Sequence, residues 1–107
     1  DEKWFNRLNE IIQENISNTE FSVDQLTRSV NMSRTLLYAK VKAVTGLTPN
    51  EFIRLVRLRK AAEYLAGNEY KINEICYMVG FNSPSYFAKC FQNQFGVLPK
   101  DFINNTN

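Results

Sequence analysis

The sequence contains no histidine in 107 residues, so the most common general base and the most common zinc ligand are both missing. Only two cysteines occur, which rules out a disulfide scaffold, and four glycines with three prolines exclude a collagen-like or linker-like chain. No apolar run approaches the ~20 residues of a membrane span, and no secretory signal opens the chain. The fold must therefore come from packing. An enzyme is disfavoured, no cofactor or metal is expected, and we expect a cytoplasmic location.

Charge is distributed unevenly along the chain, although the net charge is only +2. Residues 1–33 carry three basic and six acidic side chains, residues 34–60 carry seven and one, and residues 61–107 carry three and four. A basic central block in a nearly neutral small domain is typical of a surface that binds a polyanion. The alternative is a solvated, arginine-rich helix face with no ligand.

Apolar residues recur at helical spacing from end to end, and no segment reads as a strand. We therefore predict an all-α fold of about seven helices. Hydroxyl residues mark helix starts and glycines mark helix stops. The first helix is predicted at about 2–16, and the others begin near Ser22, Ser33, Thr48, Ile72, Ser83 and Leu98.

Two stretches of the chain repeat one pattern, at an offset of 49 residues that becomes 50 after one inserted residue in the second turn. Asn31 and Gly80, which both tolerate a left-handed backbone, fall at the matched turn position. A short helix, a tight turn and a longer helix describe a helix-turn-helix. The sequence thus predicts two such modules, at about 22–46 and 71–96, joined by a linker helix at about 49–66. The matched pairs are Val23 with Ile72, Leu26 with Ile75, Val30 with Val79, Leu37 with Phe87, Val41 with Phe91, Gly46 with Gly96, Pro49 with Pro99 and Phe52 with Phe102.

The second helix of each module is predicted to present a polar face that contains no acid. In the first copy we assign Leu36, Leu37, Val41 and Val44 to the core. The remaining side chains can reach base edges and phosphates. They are Arg34, Thr35, Tyr38 and Lys42 in the first copy, and Ser83, Ser85, Tyr86, Lys89, Gln92 and Asn93 in the second.

The linker helix is predicted to bury one apolar stripe and to expose four basic residues that steer DNA phosphates. About 17 residues at 1.5 Å rise span roughly 25 Å. With packing on either side, this length suits two recognition helices about 34 Å apart, in successive major grooves. For any one basic residue, the alternative is a surface ion pair with Glu51 or Glu63. The basic residues are Arg54, Arg57, Arg59 and Lys60, and the stripe is Leu55, Leu58, Ala62 and Leu65.

The second copy, KINEICYMVGFNSPSYFAKCFQNQFGVLPKDFI, closely resembles the signature stretch of the AraC/XylS transcriptional regulators, and the first copy with RLVRLRKAAEYL is similar to their DNA-binding domain. The resemblance covers roughly residues 5–103. It implies a seven-helix domain with two helix-turn-helix modules that binds double-stranded promoter DNA. The implied DNA contacts are Ser33, Arg34, Thr35, Tyr38 and Lys42 in the first module and Ser83, Ser85, Tyr86 and Lys89 in the second, whereas Gly80, Phe81, Phe87 and Phe91 are implied to be structural.

The sequence departs from the family at Ala39, Gln92 and Asn93, where relatives carry longer or basic side chains. Lys89 is the single cation between Gly80 and Leu98. We therefore expect the first module and the linker helix to supply most of the salt-dependent affinity for DNA. Cys76, Cys90, Trp4 and Phe5 are predicted to be core or packing residues rather than ligands.

The resemblance also implies the setting of the domain. Relatives attach such domains to ligand-binding or receiver domains, including hybrid two-component sensors. Because the chain opens at Asp1 without an initiator Met, we expect the output module of a larger bacterial regulator. Its partners would be an upstream sensory, receiver or dimerisation domain and RNA polymerase. The isolated domain is expected to be a monomer, and a hybrid-sensor parent could be membrane-tethered. The alternative function is a helical protein-interaction module that docks an acidic partner.

Overall fold

The computed structural model describes residues 2–106, with side chains up to residue 103, and within that range the regular secondary structure is all helical, with no strand. This confirms the all-α fold and the two helix-turn-helix modules. No helix of this range is long and apolar enough to cross a membrane, and no cluster of three metal-ligating side chains occurs in it. The seven helices are α1 (Glu2–Glu14), α2 (Val23–Val30), α3 (Arg34–Thr45), α4 (Pro49–Gly67), α5 (Ile72–Met78), α6 (Pro84–Phe95) and α7 (Pro99–Thr106).

The helix starts follow the predicted caps. The Ser22 hydroxyl accepts a hydrogen bond from Gln25 N at 3.4 Å, and the Gln25 side chain accepts one from Ser22 N at 3.1 Å. Thr48 and Glu51 form the same reciprocal pair at the start of α4. These bonds satisfy backbone donors that have no partner inside the helix.

Helix α1 ends at Glu14, two residues before its predicted end. The N–H of Ile16 bonds to Gln13 O at 3.2 Å, which is the shorter three-residue spacing. The Asn15 side chain donates to Ile11 O at 2.8 Å. The chain therefore leaves the helix through a tightened turn.

Two compact units make up the chain, and α4 runs through both. The first unit contains α1, α2, α3 and α4 up to Val56. In it, α1 packs on α2 and α2 packs on α3 around a buried apolar cluster. Phe5 packs on that cluster with its ring 5.5 Å from that of Phe52, and Trp4 also packs there, as predicted. Members of the cluster include Leu8, Ile11, Ile12, Leu26, Leu37 and Val41.

The second unit contains residues 17–19, α4 from Arg57 onward, and α5, α6 and α7. Its core is a chain of phenylalanine rings, with Phe91 at the centre, 4.7 Å from Phe95 and 5.4 Å from Phe102. Cys76 and Cys90 are buried free thiols, as expected, and burial raises the pKa of Cys76. A buried neutral thiol acts as a small apolar side chain.

Candidate nucleic-acid interface

The turn has the same backbone geometry in both modules. In the first, Asn31 adopts φ 54°, its N–H donates to Arg28 O, and Met32 N–H donates to Thr27 O at 3.1 Å. In the second, Gly80 adopts φ 91° and Phe81 N–H donates to Cys76 O at 3.0 Å.

Both turns are Schellman motifs, in which a left-handed residue lets two N–H groups reach back to the last carbonyls of the helix. The matched donors and acceptors confirm the turn position that the repeat predicted. Each turn is followed directly by the next helix, α3 or α6, which we name the recognition helices.

Serine caps begin both recognition helices. The Ser33 hydroxyl accepts from Leu36 N at 3.1 Å, and the Ser83 hydroxyl accepts from Tyr86 N at 3.2 Å. Both hydroxyls were predicted to contact DNA, and the structure gives each of them a capping bond as well. A hydroxyl that accepts this bond keeps its own proton for an acceptor such as a phosphate oxygen.

The recognition helix of the first module exposes Thr35 and Lys42. The side chain of Arg34, on the same helix, contacts two neighbouring residues. Arg34 forms an ion pair with Asp24 at the start of α2, and its guanidinium carbon lies 5.6 Å from the centre of the Tyr38 ring. Tyr38 is partly buried. The carboxylate of Asp24 was not part of the predicted site, because it lies on the other helix of the module.

Glu51, in the first turn of α4, has a lowered pKa. Hydrogen bonds from the backbone and side chain of Thr48 lower the pKa of Glu51, and the charges of Lys42 and Arg54 lower this pKa further. Glu51 therefore stays ionised, and Lys42 and Arg54 lie close enough to sense its charge. Both cations, which were predicted to bind phosphates, belong to the first unit.

The recognition helix of the second module exposes Ser85, Tyr86 and Lys89. The hydroxyls of Ser83 and Ser85 lie 3.2 Å apart, so the two serines form one polar corner at the start of α6. The Tyr86 ring is half exposed, with its centre 6.0 Å from that of Phe81. No ion pair of Lys89 occurs among the described side chains.

Two apolar residues of the first recognition helix were assigned wrongly to the core. Leu36 is 49% exposed and Val44 is 51% exposed. Of two adjacent leucines only Leu37 can face inward, because successive helical residues point about 100° apart. The repeat contains the signal that would have found both, since Leu36 matches the exposed Tyr86 and Val44 matches the polar Gln94.

Arg57 was predicted to steer phosphates, and this prediction is wrong. Its side chain is 7% exposed and donates to Val79 O at 3.0 Å and to Asn18 O at 3.1 Å, all within the second unit. Burial lowers the pKa of Arg57. Lys60 forms the alternative surface ion pair, with Glu63 at 3.5 Å, whereas Arg59 is exposed.

Two matched helix-turn-helix modules, each with an exposed polar recognition helix, define a DNA-binding domain. Comparison with known proteins agrees, since the family described as a helix-turn-helix domain matches residues 26–105. The chain belongs to the AraC/XylS family of transcription regulators.

Among curated relatives, the chain is 42% identical to Histidine kinase P4 of Formosa agariphila over 97% of its own length and 8% of the relative's. It is 34% identical to the HTH-type transcriptional regulator MtrA of Neisseria gonorrhoeae, over 90% of the chain and 33% of the relative. Among solved structures, the C-terminal domain of the response regulator AraT from Geobacillus stearothermophilus has a TM-score of 0.86 at 26% identity, covering 95% of this chain and 84% of that one. The chain therefore spans a third or less of the length of these curated relatives. As a member of this family, it functions in DNA-binding transcription regulation.

Proposed function

We propose that both recognition helices read one promoter duplex, and that residues of both modules make the contacts. The observation that carries this proposal is the repeated geometry, in which the same turn and the same serine cap present an exposed recognition helix twice. A duplex offers successive major grooves about 34 Å apart on one face. The proposed contacts are Ser33, Arg34, Thr35, Tyr38, Lys42 and Arg54 from the first unit, and Ser83, Ser85, Tyr86 and Lys89 from the second.

The two modules contribute differently to this proposed binding. The first supplies cations, through Arg34, Lys42 and Arg54. The second supplies hydroxyls and an aromatic ring, through Ser85 and Tyr86. Cations supply the salt-dependent attraction to phosphates, and hydroxyls and an aromatic ring add hydrogen bonds and apolar contacts.

The domain is proposed to be the output module of a larger bacterial regulator, and a hybrid two-component sensor is the favoured parent. The similarity to Histidine kinase P4 covers nearly the whole chain but 8% of that protein, which supports a long parent chain. The structural similarity to part of a response regulator points the same way. We propose that the domain acts in the cytoplasm, where bacterial promoters lie, and contacts RNA polymerase there.

The test is selection of genomic fragments bound by the isolated domain at about 0.15 M salt. An Arg34→Ala, Tyr86→Ala double variant serves as the control, because it removes one exposed side chain from each recognition helix. We expect enrichment of a site with two half-elements about ten base pairs apart, lost in the variant. A single enriched half-element would contradict two-module reading, and no retained duplex would favour the protein-interaction alternative.

A further inference from the structure

The second unit contains an open apolar groove that neither the core nor the proposed DNA contacts account for. Its volume is about 210 Å³, larger than the roughly 150 Å³ of a dry cavity known to bind benzene. The groove lies where the first residues of α5, α6 and α7 meet. Residues that line it include Ile72, Asn73, Pro84, Ala88, Leu98 and Lys100.

The first module shows what occupies the matched place there. In the repeat, Ala88 corresponds to Tyr38, and Pro84 corresponds to Arg34. Tyr38 packs its ring against the buried cluster of the first unit, and Arg34 covers that ring. In the second module alanine stands at the tyrosine position, and the groove opens beside it.

The charges at the groove also differ between the copies. The Asp24–Arg34 ion pair of the first module is matched by Asn73 and Pro84, which are both uncharged. Lys100 is the single charged residue among those lining the groove, and it is exposed. The groove therefore complements an occupant that brings an aromatic ring together with a negative charge.

We propose that this groove docks an aromatic side chain that a partner protein carries next to an acidic residue. The ring would lie against Ala88 and Leu98, as the tyrosine ring of the first module packs in its own unit, and the acidic neighbour would pair with Lys100. An aromatic ring has a large apolar area and few rotatable bonds, so it gives affinity at low entropic cost. This surface uses side chains other than the ten proposed DNA contacts.

The probe is the blocked dipeptide acetyl-Asp-Tyr-amide, titrated into the ¹⁵N-labelled domain and followed by NMR. We expect saturable shifts at the amides of Ile72, Asn73, Ala88 and Lys100, with a dissociation constant in the millimolar range that suits a small fragment. Acetyl-Asp-Ala-amide lacks the ring and acetyl-Lys-Tyr-amide reverses the charge, so each is expected to bind about tenfold more weakly or worse. Equal binding of the three dipeptides, or no binding of the first, would overturn the proposal.

Two variants assign the effect to the groove. Ala88→Tyr places a tyrosine at the position matched to Tyr38, so it should fill the groove and weaken dipeptide binding about tenfold while duplex affinity is retained. Lys100→Glu should reverse the preference between the Asp and Lys dipeptides, and it keeps the proposal testable where the tyrosine variant does not fold. Unchanged dipeptide binding in a folded Ala88→Tyr variant would overturn the assignment. Tighter binding of phenylacetate than of the Asp-Tyr dipeptide would indicate a free aromatic acid instead of a protein partner.

Discussion

Arg57 shows how one buried cation can stabilise a small domain without touching DNA. Its guanidinium donates to Val79 O, just before the second turn, and to Asn18 O, in the segment that follows α1. A planar group with five donors can bond two carbonyls at once while its stem packs among apolar residues. Arg57 therefore joins the residue that follows α5 to the segment that follows α1.

We expect Arg57→Ala to lower the free energy of unfolding by about 3 kcal/mol, because hydrogen bonds to a charged group are lost and two carbonyls are left without this donor. Arg59→Ala is the matched control, since Arg59 is an exposed arginine two residues along the same helix. It should change stability by about 0.5 kcal/mol or less. Urea unfolding measured by circular dichroism checks both values. Equal effects of the two variants would show that the buried hydrogen bonds of Arg57 add nothing to the free energy of unfolding beyond what an exposed arginine contributes.

Ser33 has two roles under the proposed function, as a helix cap and as a DNA contact, and one substitution separates them. Aspartate caps a helix about as well as serine, so Ser33→Asp should change stability by about 0.5 kcal/mol or less. Its negative charge would repel a phosphate by roughly 1 kcal/mol, so duplex affinity should fall about fivefold.

Ser33→Asn is the neutral control for this prediction, because asparagine also caps well and adds no charge. Fluorescence anisotropy with a labelled duplex measures binding, and thermal unfolding measures the cap. If the Asp and Asn variants bind duplex equally, Ser33 lies off the interface.

Among the helices, the start of α4 depends on pH through Glu51. Thr48 hydrogen bonds lower the pKa of this carboxyl below its usual value of about 4.5. A carboxyl with a lowered folded-state pKa stabilises the fold fully at a pH above its unfolded-state pKa. This stabilisation is lost as the pH falls through the folded-state pKa. The cap is therefore intact at neutral pH and weakens in acid.

We expect the wild-type chain to be more stable than Glu51→Gln at pH 6, and this difference to shrink towards pH 3 as Glu51 takes up its proton. Urea unfolding at both pH values measures the difference. Glu69→Gln is the control, because it removes an exposed carboxylate outside any helix. A stability difference that stays constant from pH 6 to pH 3 would contradict the role of the charged cap.

Helix positions and turns were predictable from the sequence because their causes are local. A serine cap, a left-handed asparagine or glycine, and a glycine stop each act on residues within one or two turns. The sequence of this helix alone did not predict whether Leu36 faces the core or the solvent, because either of two adjacent leucines fits the same apolar periodicity. Only the second copy, where Tyr86 stands at that position, breaks the ambiguity.

Across the whole chain, interactions between distant residues were not predictable. The ion pair of Arg34 with Asp24 joins two helices. Arg57 bonds to one residue that is 22 positions away in the sequence and to another that is 39 positions away. Spacing along the sequence carries no information about such pairs. Composition therefore shows where the basic residues lie in the sequence, but it counted Arg57 as available for DNA, whereas Arg57 is buried and bonded to Val79 O and Asn18 O.

The distribution of charge over the two modules predicts how DNA binding responds to salt. Each cation that neutralises a phosphate contributes about 0.9 to the slope of log affinity against log salt. Replacing Arg34, Lys42 and Arg54 together by alanine should flatten this slope by about 2 to 3, whereas Lys89→Ala should flatten it by about 0.9 or less. Lys3→Ala, an exposed cation on α1, is the control and should leave the slope unchanged.

Duplex affinity measured between about 0.05 and 0.2 M salt gives these slopes directly. Asp24 already neutralises part of the Arg34 charge, so among the single variants we expect Lys42→Ala and Arg54→Ala to flatten the slope at least as much as Arg34→Ala. A larger loss of affinity and a flatter slope for Lys89→Ala than for Arg34→Ala would reverse this division of roles. The second module would then supply the electrostatic contacts as well as the base contacts, in spite of its single cation between Gly80 and Leu98.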